Sequence, residues 1–167
     1  MAAGRPVLGL VSLILIAGGI VMTFFVVLSG FINNVVPIKN TWFLQAQTTN
    51  ISGGNSNLKN PARWTYLAIC GVTNGYNANC GPTTAALPFA PAHNFGTTSG
   101  VPAAFTGNHF YYLSRFAWVF YLISLFFAVV SFFLGFLALC TRLGAYLTGL
   151  NAAIALFFQA LAASLMT

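Results

Sequence analysis

The residues that could do chemistry in this chain are few, and the two most informative are cysteines. Cys70 and Cys80 enclose a turn-rich segment in which Asn74-Gly75 is the strongest short signal for a β-hairpin, because its tight turn requires positive φ at both central residues. Such a hairpin would place the two cysteines opposite each other. We predict a disulfide that closes a loop of about ten residues and stabilises the fold by roughly 2–3 kcal/mol, with two unrelated thiols as the alternative.

The remaining candidates for catalysis or metal binding are two histidines. His93 and His109 have no cysteine or acidic residue at the spacing of a zinc site, so we interpret them as surface or interfacial residues. General acid–base and metal chemistry need grouped carboxylates, histidines or cysteines, and the sequence has no such arrangement. It therefore predicts no enzyme: no catalytic residue, no metal ligand and no cofactor.

Asp and Glu are absent from the whole chain, although its long polar loop would ordinarily carry several. Two interpretations are open. Either the protein is truly poor in acids, or poorly visible carboxylates were recorded as Asn, Gln or Ala when the sequence was read from a density map. Under the second interpretation the argument against acid–base catalysis is weaker.

The composition predicts a membrane protein. Hydrophobic residues make up 58% of the chain and charged residues 4%, against roughly 25% charged residues in soluble domains. Three apolar segments, 7–29, 111–139 and 143–166, exceed the ~20 residues that a helix needs to span a membrane. The loop 30–110 is too small for a separate soluble domain, so residues 1–167 are predicted to form a single membrane domain. The Lys and Arg residues are scattered, which excludes a nucleic-acid-binding patch.

The loop 30–110 is predicted to lie outside the cell, with the N-terminus in the cytoplasm. The cysteine pair and the N-glycosylation sequon at Asn50 both indicate an extracellular loop. The first apolar segment is longer than the 7–15 apolar residues of a cleaved signal peptide, so we interpret it as an uncleaved signal anchor. Because the chain stops inside its last apolar segment, we expect a fourth helix and a tail to be missing.

Small and polar residues within the apolar segments have predicted roles in packing. Gly18 and Gly19 would allow a neighbouring helix to approach closely. Asn151 and Gln159 lie on one face of the last segment, and in lipid they need partners on another helix.

Arg115 and Cys140 lie near the two ends of the second apolar segment. Arg115 either extends to the lipid headgroups or, as we favour, binds carbonyls or acids of the loop and ties the loop to the helix. Cys140 is a candidate for S-palmitoylation at the inner membrane boundary, with a buried free thiol as the alternative.

Two tryptophans mark predicted strands in the loop, and we interpret both as structural or interaction residues. Trp42 lies in the short apolar run 41–44, and Trp64 begins a second run that reaches Ile69. After Cys80 the chain is rich in proline and glycine, which favours extended and turning backbone.

Six stretches of the sequence together resemble one family of fungal membrane proteins. In chain order they are TWFLQAQTTNI, RWTYLAICG, NANCG, LPFAPAHNFGTT, FYYLSRF and LCTRLGAYL. Over nearly its whole length the chain is similar to the SUR7/PalI family, four-helix plasma-membrane proteins of the claudin-like superfamily. The resemblance implies a membrane α+β fold. It consists of a claudin-like transmembrane helix bundle, with three of four helices present, and a small extracellular antiparallel β-sheet.

The same resemblance bears on individual residues. Trp64, Cys70 and Cys80 match the claudin-type signature of a tryptophan followed by two cysteines, whereas Leu67 stands where relatives often carry a second tryptophan. Similar proteins often have acids near three further positions, Gln45, Asn79 and Ala90. This supports the interpretation that acids have been recorded as other residues.

The resemblance implies a non-enzymatic scaffold of the furrow-like, eisosome-associated domains of the fungal plasma membrane. Such a scaffold would support membrane organisation, endocytosis and cell-wall deposition. Its partners would be membrane lipids and, by lateral contact, itself or other plasma-membrane proteins. The main alternative is an accessory subunit of a larger plasma-membrane enzyme, a cell-wall polysaccharide synthase or a proton pump. A channel or transporter comes third, because the apolar segments lack ionisable groups near mid-membrane.

Overall fold

The computed structural model describes residues 4–31 and 36–166. In chain order, its elements are α1 (Gly4–Val27), α2 (Val36–Lys39), β1 (Leu44–Ala46), β2 (Ala62–Trp64), β3 (Ile69–Thr73), β4 (Tyr76–Ala78), α3 (Pro91–Phe95), a 3-10 turn (Ala103–Phe105), α4 (His109–Cys140) and α5 (Arg142–Met166). Within these ranges, α1, α4 and α5 are long and apolar enough to cross a membrane. Three long apolar helices and a small antiparallel sheet confirm the predicted membrane α+β fold class. The helix bounds differ slightly from the predicted 7–29, 111–139 and 143–166.

Contacts divide the chain into two units, which are described separately. The helical unit contains the described residues of 1–24 and 119–165, and the sheet unit contains those of 25–118.

In the helical unit, α4 and α5 pack as antiparallel neighbours along a seam of small residues. The Ser124 hydroxyl donates to the Ala155 carbonyl oxygen at 2.8 Å, and the Ser131 hydroxyl donates to the Thr148 carbonyl oxygen at 3.0 Å. Both serines are almost fully buried, with 1% and 0% of their surface exposed. In lipid, such packing and interhelical hydrogen bonds hold helices together, because apolar side chains are equally well solvated by lipid tails.

The connection between α4 and α5 is a single residue, Thr141. Its Oγ1 accepts a hydrogen bond from the Gly144 N–H at 3.0 Å, which caps the first turn of α5. Gly144 is buried, and a Cβ added there would lie 2.6 Å from the backbone carbonyl carbon of Leu137. The first turn of α5 therefore lies against the backbone of α4 at a distance that only glycine allows.

Close approach of α1 occurs at glycines other than the predicted pair. Apart from the local backbone and chain neighbours in α1 itself, no described atom lies within 4 Å of a Cβ added at Gly18 or Gly19. A Cβ added at Gly9 of α1 or at Gly135 of α4 would instead lie 2.6 Å or 2.5 Å from a leucine of the facing helix. Among the described helices, the close contact between α1 and α4 therefore involves Gly9 and Gly135. Packing of a neighbouring helix on Gly18 and Gly19 stays a prediction.

In the sheet unit, four strands form one antiparallel sheet in the order β1-β2-β3-β4. The predicted hairpin is confirmed, since Asn74 and Gly75 have φ angles of 53° and 82° and lie between the paired residues Thr73 and Tyr76. The adjacent apolar run is divided by a second turn. β2 ends at Trp64, the next four residues turn, and the chain returns in β3.

The two faces of the sheet differ in character, because side chains alternate along each strand. One face is the hydrophobic core of the unit, formed by Ala62, Trp64 and Ile69 together with Phe95 of α3. By the strand register, the other face carries Gln45, Arg63, Cys70 and Asn77.

Helix α3 lies in the segment for which proline and glycine had predicted only extended and turning backbone. Its first residue is Pro91, a position at which the missing N–H costs no helical hydrogen bond. Gly96 ends the helix in the left-handed conformation, with φ of 67°. The short helix places the Phe95 ring 5.5 Å from the Trp64 ring, which fills the core beneath the sheet.

Candidate interaction surface

The predicted disulfide is present in the sheet unit. Cys70 and Cys80 are bonded, and their Cα atoms lie 3.9 Å apart. Cys70 is fully buried in β3, where it pairs with Arg63 of β2. The bridge therefore joins the two sides of the hairpin at its open end, opposite the Asn74-Gly75 turn.

Arg63 is a buried cation held by neutral acceptors. Only 8% of its surface is exposed. Its Nε donates to Gln45 Oε1 at 2.8 Å, and its Nη1 donates to the Gly75 carbonyl oxygen at 2.9 Å and to Asn77 Oδ1 at 3.2 Å. Since the chain contains no Asp or Glu, none of its own side chains neutralises this charge. The network links β1, β2 and the β3–β4 turn by one side chain.

Trp42 covers this cation. The Arg63 guanidinium carbon lies 4.9 Å from the centroid of the Trp42 ring, within the range of a cation–π interaction. Trp42 itself is 42% exposed, and Gln45 is exposed beside it. We call Trp42, Gln45, Arg63 and Asn77 the Arg63 face. It presents an aromatic ring and an amide above a fixed positive charge.

Two buried serines at helix ends bind loops of the sheet unit. Just after α1, the Ser29 hydroxyl accepts a hydrogen bond from the Tyr66 N–H at 3.2 Å. In the second turn of α4, the Ser114 hydroxyl accepts from the Phe89 N–H at 2.8 Å and donates to the Phe110 carbonyl oxygen at 2.8 Å. Sequence reasoning missed both serines, because a serine beside an apolar segment gives no local sign of a distant backbone partner.

Arg115 differs from the neighbouring Ser114 in its exposure and in its contacts. Its side chain is exposed, and its guanidinium carbon lies 4.8 Å from the ring centroid of Tyr111, one turn earlier on the same helix. The His93 ring of α3 meets the same Tyr111 ring at 5.5 Å. The hydrogen bond that joins loop and helix here is therefore made by Ser114, and Arg115 contributes a cation–π contact within α4.

The other predicted residues are scattered over the described structure. The Asn151 amide donates to the Leu147 carbonyl oxygen of its own helix at 2.9 Å, and Gln159 is exposed. Cys140 is a free and exposed thiol, and it lines a groove of about 960 Å³ between α1, α4 and α5. Asn50 is exposed in a turn between β1 and β2.

No group of three His, Cys, Asp or Glu side chains that could hold a metal ion occurs in 4–31 or 36–166. The described residues that converge are those of the disulfide and the Arg63 face. This arrangement suits binding by contact, since an exposed tryptophan beside an arginine is typical of the residues that dominate protein–protein interfaces.

Residues 8–167 match the SUR7/PalI family. The chain belongs to this family. Within SUR7/PalI, it is similar to the SUR7 family protein FMP45 of Saccharomyces cerevisiae, with 40% identity over 131 residues that cover 77% of this chain and 40% of the relative. Protein SUR7 of Candida albicans is 34% identical over 158 residues, or 93% of this chain and 56% of the relative. The uncharacterized plasma membrane protein YNL194C of Saccharomyces cerevisiae is 36% identical over 163 residues, or 94% and 52%.

This SUR7/PalI chain spans about half the length of the curated relatives that it matches. The relatives are named as SUR7 or plasma-membrane proteins and not as enzymes. No solved structure matches the chain significantly.

Proposed function

We propose that this protein is a non-enzymatic structural protein of fungal plasma-membrane domains of the eisosome type. It acts by lateral association with copies of itself or with other plasma-membrane proteins, and it supports membrane organisation, endocytosis and cell-wall deposition. In this proposal the sheet unit lies outside the cell, and the N-terminus and the α4–α5 turn lie in the cytoplasm.

The observation that carries the proposal is the Arg63 face. A surface used for association needs a rigid support, which here consists of the disulfide, the buried Trp64 core and the three hydrogen bonds of Arg63. It also needs exposed residues that gain by being covered. Trp42 is such a residue, since a half-exposed indole ring buries a large apolar area on contact.

The family relationship supports the same class of function. A SUR7/PalI relative carries the name of a plasma membrane protein, and the described helices have the length and hydropathy of membrane spans. The disulfide agrees with a sheet outside the cytoplasm, where such bonds form and persist.

The proposal is tested by replacing Trp42 in the full-length protein, fused to a fluorescent protein and expressed in yeast. Trp42→Ala should disperse the protein from plasma-membrane patches and reduce crosslinking between neighbours, whereas Trp42→Phe should retain both because it keeps an aromatic ring over Arg63. A non-reducing gel that shows an intact Cys70–Cys80 bond establishes that the variants are folded.

Three results would overturn the proposal. If the patches and crosslinks survive Trp42→Ala, association does not depend on the Arg63 face. Recovery of a polysaccharide synthase or a proton pump at fixed stoichiometry would identify an accessory subunit. Ion flux through liposomes that contain only this protein would identify a channel.

A further inference from the structure

Asn50 lies in the chain's single Asn-X-Ser/Thr sequon, followed by Ile51 and Ser52. The sequon occupies the connection between β1 and β2, in a turn in which the Ile51 N–H donates to the Thr48 carbonyl oxygen at 3.0 Å. An asparagine that carries a glycan must be at the surface of the folded protein, since the glycan is bulky and strongly hydrated. The position of Asn50 meets this requirement.

The backbone at Asn50 is fixed while its side chain is exposed. Gly100, with φ of 81°, lies so close that a Cβ added there would be 2.0 Å from the Asn50 carbonyl oxygen. On the other side, Ile51 packs against the core of the sheet unit. Within the described residues, the Asn50 side-chain amide makes no hydrogen bond, so a substituent on it displaces nothing.

We propose that Asn50 is the attachment site of an N-linked oligosaccharide. The inference rests on the proposed function in one respect, the location of the sheet unit outside the cytoplasm. It goes further by naming the modified atom and the chemical class of its substituent. A glycan on the β1–β2 connection would cover that connection, so lateral contacts would be made by other parts of the sheet unit.

The reaction is a group transfer without oxidation or reduction. Nδ2 of Asn50 forms a bond to the anomeric carbon of an oligosaccharide that is carried on a polyprenyl diphosphate. The bond from that carbon to the diphosphate oxygen breaks, and the lipid diphosphate leaves with the bonding electron pair. One amide proton passes to a base of the transferase. The sequon serine is recognised by the transferase during synthesis, before the chain folds.

The test compares electrophoretic mobility before and after peptide N-glycosidase F, for the full-length protein made in yeast. Asn50→Gln and Ser52→Ala should each lose the mobility shift of one glycan relative to the wild type, and Ser52→Thr should retain it. Because the transfer precedes folding, a variant that folds poorly still reports on the site.

A control variant separates this inference from the orientation on which it rests. Tyr76→Thr completes a second sequon at Asn74, in the exposed hairpin turn. If the wild type shows no shift but Tyr76→Thr does, the loop is extracytoplasmic and Asn50 is not modified, which overturns the inference alone. If neither protein shifts, both the inference and the orientation are overturned. A wild-type shift that Asn50→Gln leaves undiminished would also overturn the inference.

Discussion

At the residue scale, Arg63 shows how the sheet unit accommodates a buried charge without a counter-ion. Removing a guanidinium from water is costly unless its donors are bonded. Two amide oxygens and one carbonyl oxygen accept from Nε and Nη1, and the Trp42 ring covers the cation. Arg63 is therefore a structural centre of its face, and a sequence pattern alone shows only an arginine within an apolar run.

Replacing the neutral acceptor by a charged one should strengthen this network. Gln45→Glu places a carboxylate on the guanidinium, and charge-assisted hydrogen bonds are stronger than neutral ones. We expect the free energy of unfolding at pH 7 to rise by about 1 kcal/mol, a modest gain because position 45 is exposed. Thermal unfolding in detergent micelles measures the change. Gln47→Glu, an exposed position on the same segment, is the matched control and should have no effect.

Ser114 should matter more than its charged neighbour. Ser114→Ala removes the acceptor of the Phe89 N–H and leaves that partly buried donor unpaired, which should cost about 1–3 kcal/mol. Arg115→Ala removes an exposed cation–π contact, which should cost about 0.5–1 kcal/mol. The unfolding midpoints of the two variants decide the order. A larger loss for Arg115→Ala would restore Arg115 as the principal tie between loop and helix.

At the scale of elements, the disulfide is the one covalent constraint described in the sheet. Cys70→Ser combined with Cys80→Ser should lower the free energy of unfolding by roughly 2–3 kcal/mol, because the closed loop restricts the unfolded chain. Cys140→Ser is the control, since that thiol is free and exposed. Equal stability of the double variant and the wild type would show that the hairpin needs no bridge.

The α4–α5 pair offers a test with two glycines of one helix. Gly144→Ala would force a methyl group to within 2.6 Å of the α4 backbone, and backbone atoms move only together with the helix. Gly149→Ala meets no described atom within 4 Å, so it should be neutral or slightly stabilising through its higher helix propensity. We expect only Gly144→Ala to lower the thermal midpoint by several degrees. Similar midpoints for the two variants would contradict the close contact.

At the scale of the whole molecule, the features that sequence predicted are local ones. The apolar spans follow from composition, and the Asn74-Gly75 hairpin follows from two residues with positive φ. The disulfide then follows from the hairpin. Two hydrogen bonds were not predicted, that of Ser124 with Ala155 and that of Ser114 with Phe89. Each joins residues that are far apart in the chain, and the sequence around one partner contains no sign of the other. The Arg63 acceptors were missed for the same reason.

The lack of acids has a consequence for stability that extends over the whole chain. Acid denaturation arises mainly because carboxylates that are bonded in the folded state must be protonated, and this chain has no carboxylate side chains. Among the ionisable side-chain types of this chain, histidine alone changes its charge in model peptides between pH 4 and 7, and both histidines are exposed. We expect the thermal midpoint in micelles at pH 4 to lie within a few degrees of that at pH 7. A fall of more than about 10 °C would contradict this.

The Arg63 face shows the same property at a single site. A clamp made of arginine and carboxylate behaves as an acid sensor. Its stabilisation is present above the carboxylate's unfolded pKa and is lost as pH falls through the folded one. The oxygens that hold Arg63 belong to amides and a backbone carbonyl, which stay unprotonated in that range. If the protein contacts its neighbours through this face, the contact surface would keep the same shape and charge at acidic pH as at neutral pH.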